Sequence, residues 1–145
     1  MGYAAVLDPY PHQTKEYNQL YRFYELLREG KLCTTKCVKC GHVTWPPKTM
    51  CPKCASGELE WHELPADGTV MGYTVAEGGL PPHIPVPAIF VLVQLGPVRI
   101  LARLLQAKPE DVEIGMRVKP TCVVVEGTPY APDRVLPAFV PAEAV

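Results

Sequence analysis

From residue 67 onward the chain switches repeatedly between short β-branched runs and turn residues. Runs at 69–75, 88–95, 98–104, 116–125 and 134–140 are rich in Val, Ile and Leu, too short for helices, and bounded by Gly, Pro and acidic residues. They predict five strands. Gly96 and Pro97 make a tight turn between the second and third, which predicts a hairpin there, and the short turn Pro109-Glu110-Asp111-Val112-Glu113 separates the third from the fourth. Five strands with a pause after the third suit a small closed barrel of the OB type, in which closure removes exposed edges.

The first half follows another period. After an N-terminal stretch with Pro9 and Pro11, expected to be an extended arm, apolar residues at Tyr17, Leu20, Tyr21, Phe23, Tyr24, Leu26 and Leu27 recur at helical spacing. Thr14 as N-cap and Gly30 as stop predict a helix over 14–30. Its apolar positions cover well over half of the helical wheel, more than one supporting surface would bury, which predicts contact on a second side. Between the first two strands the loop 78–87 holds four prolines among apolar residues. A stiff apolar loop of this kind is expected to fold over the barrel or to dock on a partner.

Chemistry concentrates between helix and barrel. Cys37 and Cys40 form one C-x-x-C pair, Cys51 and Cys54 a second, and each pair makes a knuckle whose sulfurs point at one spot. Two knuckles supply four thiolates, a complete shell for Zn²⁺ with no position left for water or substrate, so the site is expected to be structural. Gly41 after the first pair and Pro52 inside the second suit the turns. A disulfide reading fits a secreted protein, and the opening residues lack the basic and apolar segments of a signal peptide. His42 and His62 are nearby but superfluous to a filled tetrahedron. Cys33 is expected to be a small hydrophobe, and Cys122 a strand residue with only Lys119 close enough to activate it. Lys36, Lys39, Lys48 and Lys53 offset the negative charge of a four-thiolate centre.

At 145 residues the chain has room for a small core plus a metal-stapled module, divided as arm and helix 1–30, zinc ribbon 31–64 and barrel 65–145. A formal charge of −1 argues against a dedicated nucleic-acid or anionic-membrane binder. Nothing approaches the roughly 20 apolar residues of a membrane span, so a cytoplasmic, soluble protein is expected. No nucleophile–base pair, spaced carboxylate pair or phosphate-binding Gly loop is present in the sequence, so no catalytic residue is assigned.

The order helix, knuckles, barrel resembles the rubredoxin-like zinc-ribbon plus OB-fold family, long catalogued as a domain of unknown function. The resemblance rests on LCTTKCVKCG at 32–41, Pro46-Pro47-Lys48 leading into Cys51-Pro52-Lys53-Cys54, Glu60-Trp61, Asp67-Gly68-Thr69-Val70, Tyr73-Thr74-Val75 and Ile114-Gly115-Met116-Arg117-Val118. Cys33 is outside the family pattern. The resemblance implies a mainly β protein with an N-terminal helix, a zinc ribbon and a five-stranded OB barrel. It further implies a non-catalytic accessory subunit whose larger thiolase-like partner supplies the chemistry on a CoA thioester, a β-oxoacyl-CoA such as 2-benzoylsuccinyl-CoA in aromatic hydrocarbon degradation. Relatives of this kind associate with thiolases, thiolase-like synthases, aldolases or hydratases. In such a complex Arg99, Arg103, Lys108, Arg117 and Lys119 could steer the CoA phosphates. The rival readings are a nucleic-acid-binding ribbon/OB module and a free-standing acyl-CoA-binding protein.

Overall fold

The β-branched runs of the second half close on themselves. In the computed structural model, which describes residues 10–81, 84–127, 129 and 132–142, helix α1 (Tyr21–Arg28) is followed by a two-stranded ribbon, β1 (Cys33–Cys37) and β2 (Leu59–Glu63). Then come β3 (Gly68–Ala76), β4 (Ala88–Leu95), β5 (Val98–Leu104), a 3-10 turn (Pro109–Asp111), β6 (Arg117–Val125) and β7 (Arg134–Pro141). Strands β3 to β7 form a closed barrel in the order β3-β4-β5-β7-β6. This is the mainly β, ribbon-plus-OB architecture expected of the chain, with each of the five barrel strands within about one residue of its sequence-based bounds.

Alternation explains the barrel. Val91, Val93 and Leu95 of β4, Val98, Ile100, Ala102 and Leu104 of β5, Val118 of β6 and Phe139 of β7 are buried in one core. Residues between them on β4 and β5 face out. Closure is economical: β5 pairs with β7 in parallel at Arg103–Ala138 and Leu104–Phe139, and β3 meets β6 at Gly68–Val118 and Thr69–Arg117. Gly68 is required at that seam. A Cβ there would stand 2.6 Å from the Gln94 carbonyl oxygen and 2.8 Å from Val93 Cγ1.

The helix is shorter than expected. Residues 14–20 turn without forming it: the Tyr17 and Asn18 N–H groups both donate to the Thr14 carbonyl, and the Asn18 side-chain oxygen takes the Leu20 N–H at 2.8 Å. A helix running through this point would need that N–H for the carbonyl four residues back, so the Asn18 turn delays the start to Tyr21. At the other end Gly30 acts as expected. Its N–H bonds to the Leu27 carbonyl and that of Lys31 to Leu26, the paired bonds of a Schellman cap.

The broad apolar face of the helix is largely consumed inside the chain. Phe23, Leu26 and Leu27 are buried, and the helix packs against β7, β1 and β6, so that it joins ribbon to barrel. Phe23 meets Tyr24 edge-on, centroids 5.0 Å apart, and lies 5.8 Å from the Trp45 ring of the ribbon loop. Of the expected N-terminal arm, residues 1–9 lie outside the described residues. Gln13 is buried and its amide both donates to the Val135 carbonyl (2.8 Å) and accepts from the Val135 N–H (2.9 Å), taking the place of a neighbouring strand at the start of β7. In the proline-rich loop, Pro82 and His83 also lie outside the described residues, while Val86 is exposed.

Candidate metal centre

Strand β1 ends in the first knuckle. The Cys37 N–H donates to the His42 carbonyl and the Gly41 N–H to the Cys37 carbonyl, both at 2.9 Å; in the second knuckle Cys51 N–H to Ser56 and Ala55 N–H to Cys51 repeat the pair at 2.9 Å. Each loop thus folds its two sulfurs to one side. The turn needs a left-handed residue right after the second cysteine: Gly41 adopts φ +76° there, and Ala55, its counterpart, φ +62°. Glycine takes this conformation freely, whereas alanine is strained.

Buried threonines brace the ribbon. Thr34 Oγ1 donates to the Thr44 carbonyl, Thr35 and Thr44 hydroxyls lie 3.0 Å apart, and the Lys48 N–H donates to Thr35 Oγ1 at 2.9 Å. These bonds tie β1 to the loop that carries the chain from one knuckle to the other. Their hydroxyls satisfy backbone groups that the two-stranded sheet leaves over.

The four knuckle sulfurs converge. All lie within 4.8 Å of one another, with Cys37–Cys54 and Cys40–Cys51 at 3.6 Å. A tetrahedral ion with Zn–S bonds of about 2.3 Å separates its sulfurs by roughly 3.8 Å, a spacing close to that of the cluster. Cys37 and Cys51 are buried, Cys40 and Cys54 exposed. The Cys40 backbone N–H, 3.4 Å from the Cys37 sulfur, brings that thiol down to about 6 against the opposing effect of burial. The Cys54 N–H likewise lowers Cys51. The N–H of His42 and that of Ser56 act downward on Cys40 and Cys54, but burial and hydrogen bonds to the other thiols outweigh them; Cys40 is raised, and Cys54 rises to about 11. A dication bound to all four sulfurs displaces the thiol protons that remain.

Residues set aside on sequence grounds stand apart from the cluster. Cys33 is buried in β1 opposite Glu63, and burial first, then the Glu63 charge, pushes its thiol up. Cys122 lies half-buried in β6 against the barrel core. His42 serves the first knuckle through its backbone, its carbonyl accepting from the Cys37 N–H, and His62 pairs with Thr34 in the ribbon sheet. Among the barrel cations, Arg117 pairs with Asp67 and donates to Thr69 Oγ1 at 2.6 Å, and Arg99 Nε donates to Gln94 Oε1 at 2.9 Å. Where helix, ribbon loop and β7 meet, a cavity of about 270 Å³ is bordered by Leu20, Phe23, Tyr24, Trp45, Pro46, Pro47, Leu136 and Pro137. Sequence reasoning missed the ribbon threonines and Gln13, because a hydroxyl or amide that satisfies backbone groups leaves no periodic trace.

Fold and cluster define a two-module protein, a four-cysteine zinc ribbon joined through a helix to an OB barrel. The domain described as ChsH2, rubredoxin-like zinc ribbon matches residues 25–60, and the ChsH2 C-terminal OB-fold domain matches 61–123. Strand β7, which completes the barrel, follows the matched residues. A DUF35 domain-containing scaffold protein from Pyrococcus furiosus is 31% identical over 70% of this chain and 76% of its own length. The chain belongs to this DUF35 family, in its ChsH2 ribbon-plus-OB form. A probable enoyl-CoA hydratase alpha subunit from Thermomonospora curvata is 30% identical over 83% of the chain, and the chain spans 36% of that protein's length. Among solved structures, an Ltp2-ChsH2(DUF35) aldolase chain superposes with a TM-score of 0.70 at 28% identity, covering 89% of this chain and 99% of that one. A DUF35 protein from Sulfolobus solfataricus shares the fold, with a TM-score of 0.55 at 18% identity.

Proposed function

We propose that this chain is a non-catalytic subunit of a heteromeric acyl-CoA enzyme, holding one structural Zn²⁺ through Cys37, Cys40, Cys51 and Cys54. The observation that carries the reading is the convergence of four sulfurs, which fills a tetrahedral shell and leaves no position for a substrate. Relatives named as a scaffold, as a hydratase subunit and as part of an aldolase complex support an accessory role beside an enzyme. In this proposal the partner is a larger thiolase-type subunit acting in the cytoplasm on a β-oxoacyl-CoA, with 2-benzoylsuccinyl-CoA as a candidate. The division into 1–30, 31–64 and 65–145 belongs to the same proposal. So does a part for the loop 78–87 in shaping the acyl pocket. No helix of the described residues is long and apolar enough to cross a membrane.

Co-expression with a candidate thiolase-type subunit tests the proposal. The two chains should elute together, with acyl-CoA thiolysis only when both are present. Thiolysis by this chain alone, or full activity of the larger subunit without it, contradicts the proposal.

A further inference from the structure

Ile114 and Leu101 are the most exposed aliphatic side chains among the described residues, at 69% and 66%. A lone exposed aliphatic residue needs no explanation. These two differ in the charge around them: Leu101 lies between two arginines, while Ile114 follows a turn that carries three exposed acidic side chains against one exposed Lys108.

Leu101 stands on the outer face of β5 between Arg99 and Arg103, directly across from Leu92 of β4. Strands β3, β4 and β5 contain no Asp or Glu, so nothing on them offsets the two guanidinium groups. Arg103 Nε is buried without a hydrogen-bond partner among the described residues. Ile114 stands at the corner after the 3-10 turn, with exposed Glu110, Asp111 and Glu113 preceding it. Among the described residues, the ion pairs are Arg22–Glu25 and Arg117–Asp67, so neither patch is neutralised by the other within the chain.

We infer that the chain associates with a second copy of itself, the Ile114 corner of one copy seating on the Leu101 face of the other, with Glu110, Asp111 and Glu113 against Arg99 and Arg103. An apolar centre rimmed by complementary charge is the usual anatomy of a specific contact. Phe90 lies across from Arg103 beside the two leucines, but the net negative charge of the chain disfavours a nucleic acid on this face. Because one chain carries both patches, the contact either closes as a two-fold pair or propagates into longer assemblies.

Sedimentation velocity of the zinc-loaded full chain, at rising concentration and at low and high salt, tests this. Association should grow with concentration and recede as salt screens the rim charges. Arg99→Glu with Arg103→Glu should abolish it, as should Glu110→Lys, Asp111→Lys and Glu113→Lys together, while a mixture of the two variants should recover one-to-one association. If Arg103→Glu disturbs the barrel, Arg99→Glu with Leu101→Ser replaces it, since both side chains are at the surface. Circular dichroism and zinc content serve as fold controls. A wild type that stays monomeric throughout, a variant that still associates, or a mixture that stays apart overturns the inference. So does a monomeric wild type whose arginine face instead captures an added single-stranded oligonucleotide or the catalytic subunit.

Discussion

The barrel encloses Val70, Val91, Val93, Leu95, Ile100, Val118 and Phe139 completely, while the ribbon buries Leu32, Leu64, the cysteines Cys33, Cys37 and Cys51, and three threonines. In the barrel, apolar burial around a closed sheet is enough to hold one arrangement. The ribbon has two strands of five residues each and no such core of its own. An isolated two-stranded sheet is marginal in water, so the zinc and the shared contact through Phe23 and Trp45 must supply what the ribbon lacks. The comparison places the metal's role in folding.

Breaking the ribbon at its sulfur should have the largest effect. Cys51→Ser should lose the zinc and unfold 31–64, read as zinc content and as new protease cleavage within the ribbon, whereas Cys33→Ser should keep its metal. In the barrel the equivalent insult is Phe139→Ala, expected to cost about 3–5 kcal/mol in denaturant unfolding while the zinc stays bound. Acidification should separate the modules next. Cys37 and Cys51 are held below the ordinary thiol range, so their contribution is complete above the unfolded pKa and fades as pH falls through the folded value, about 6 for Cys37 before any metal lowers it. Zinc affinity, followed with a chromophoric chelator, should therefore drop as pH falls while barrel circular dichroism persists. The smallest effect tests the two knuckles against each other: Ala55→Gly relieves the strained φ and should stabilise the zinc-loaded ribbon by ~0.5–1 kcal/mol in thermal unfolding.

The same contrast explains what was legible. The barrel strands could be read because alternation is imposed by burial on one face, and Val91, Val93 and Leu95 could not be shifted by one residue without turning outward. The four cysteines stood out because metal ligands require fixed spacing. Helix onset was obscured by one side chain, since Asn18 competes with the backbone for the Leu20 N–H while the apolar period continues past it. Barrel closure by a parallel β5–β7 contact and the bulge at Met71, between Val70 and Gly72, depend on partners distant in the chain, which periodicity within a run does not encode.

The central claim is that the metal site is closed, so that this chain builds structure and a partner performs chemistry. X-ray absorption at the zinc edge of the purified chain tests it most directly. The account predicts four sulfur neighbours at about 2.3 Å and no nitrogen or oxygen neighbour, unchanged when an acyl-CoA is added. Three sulfurs with an exchangeable light-atom ligand would describe an open, catalytic zinc and contradict the account.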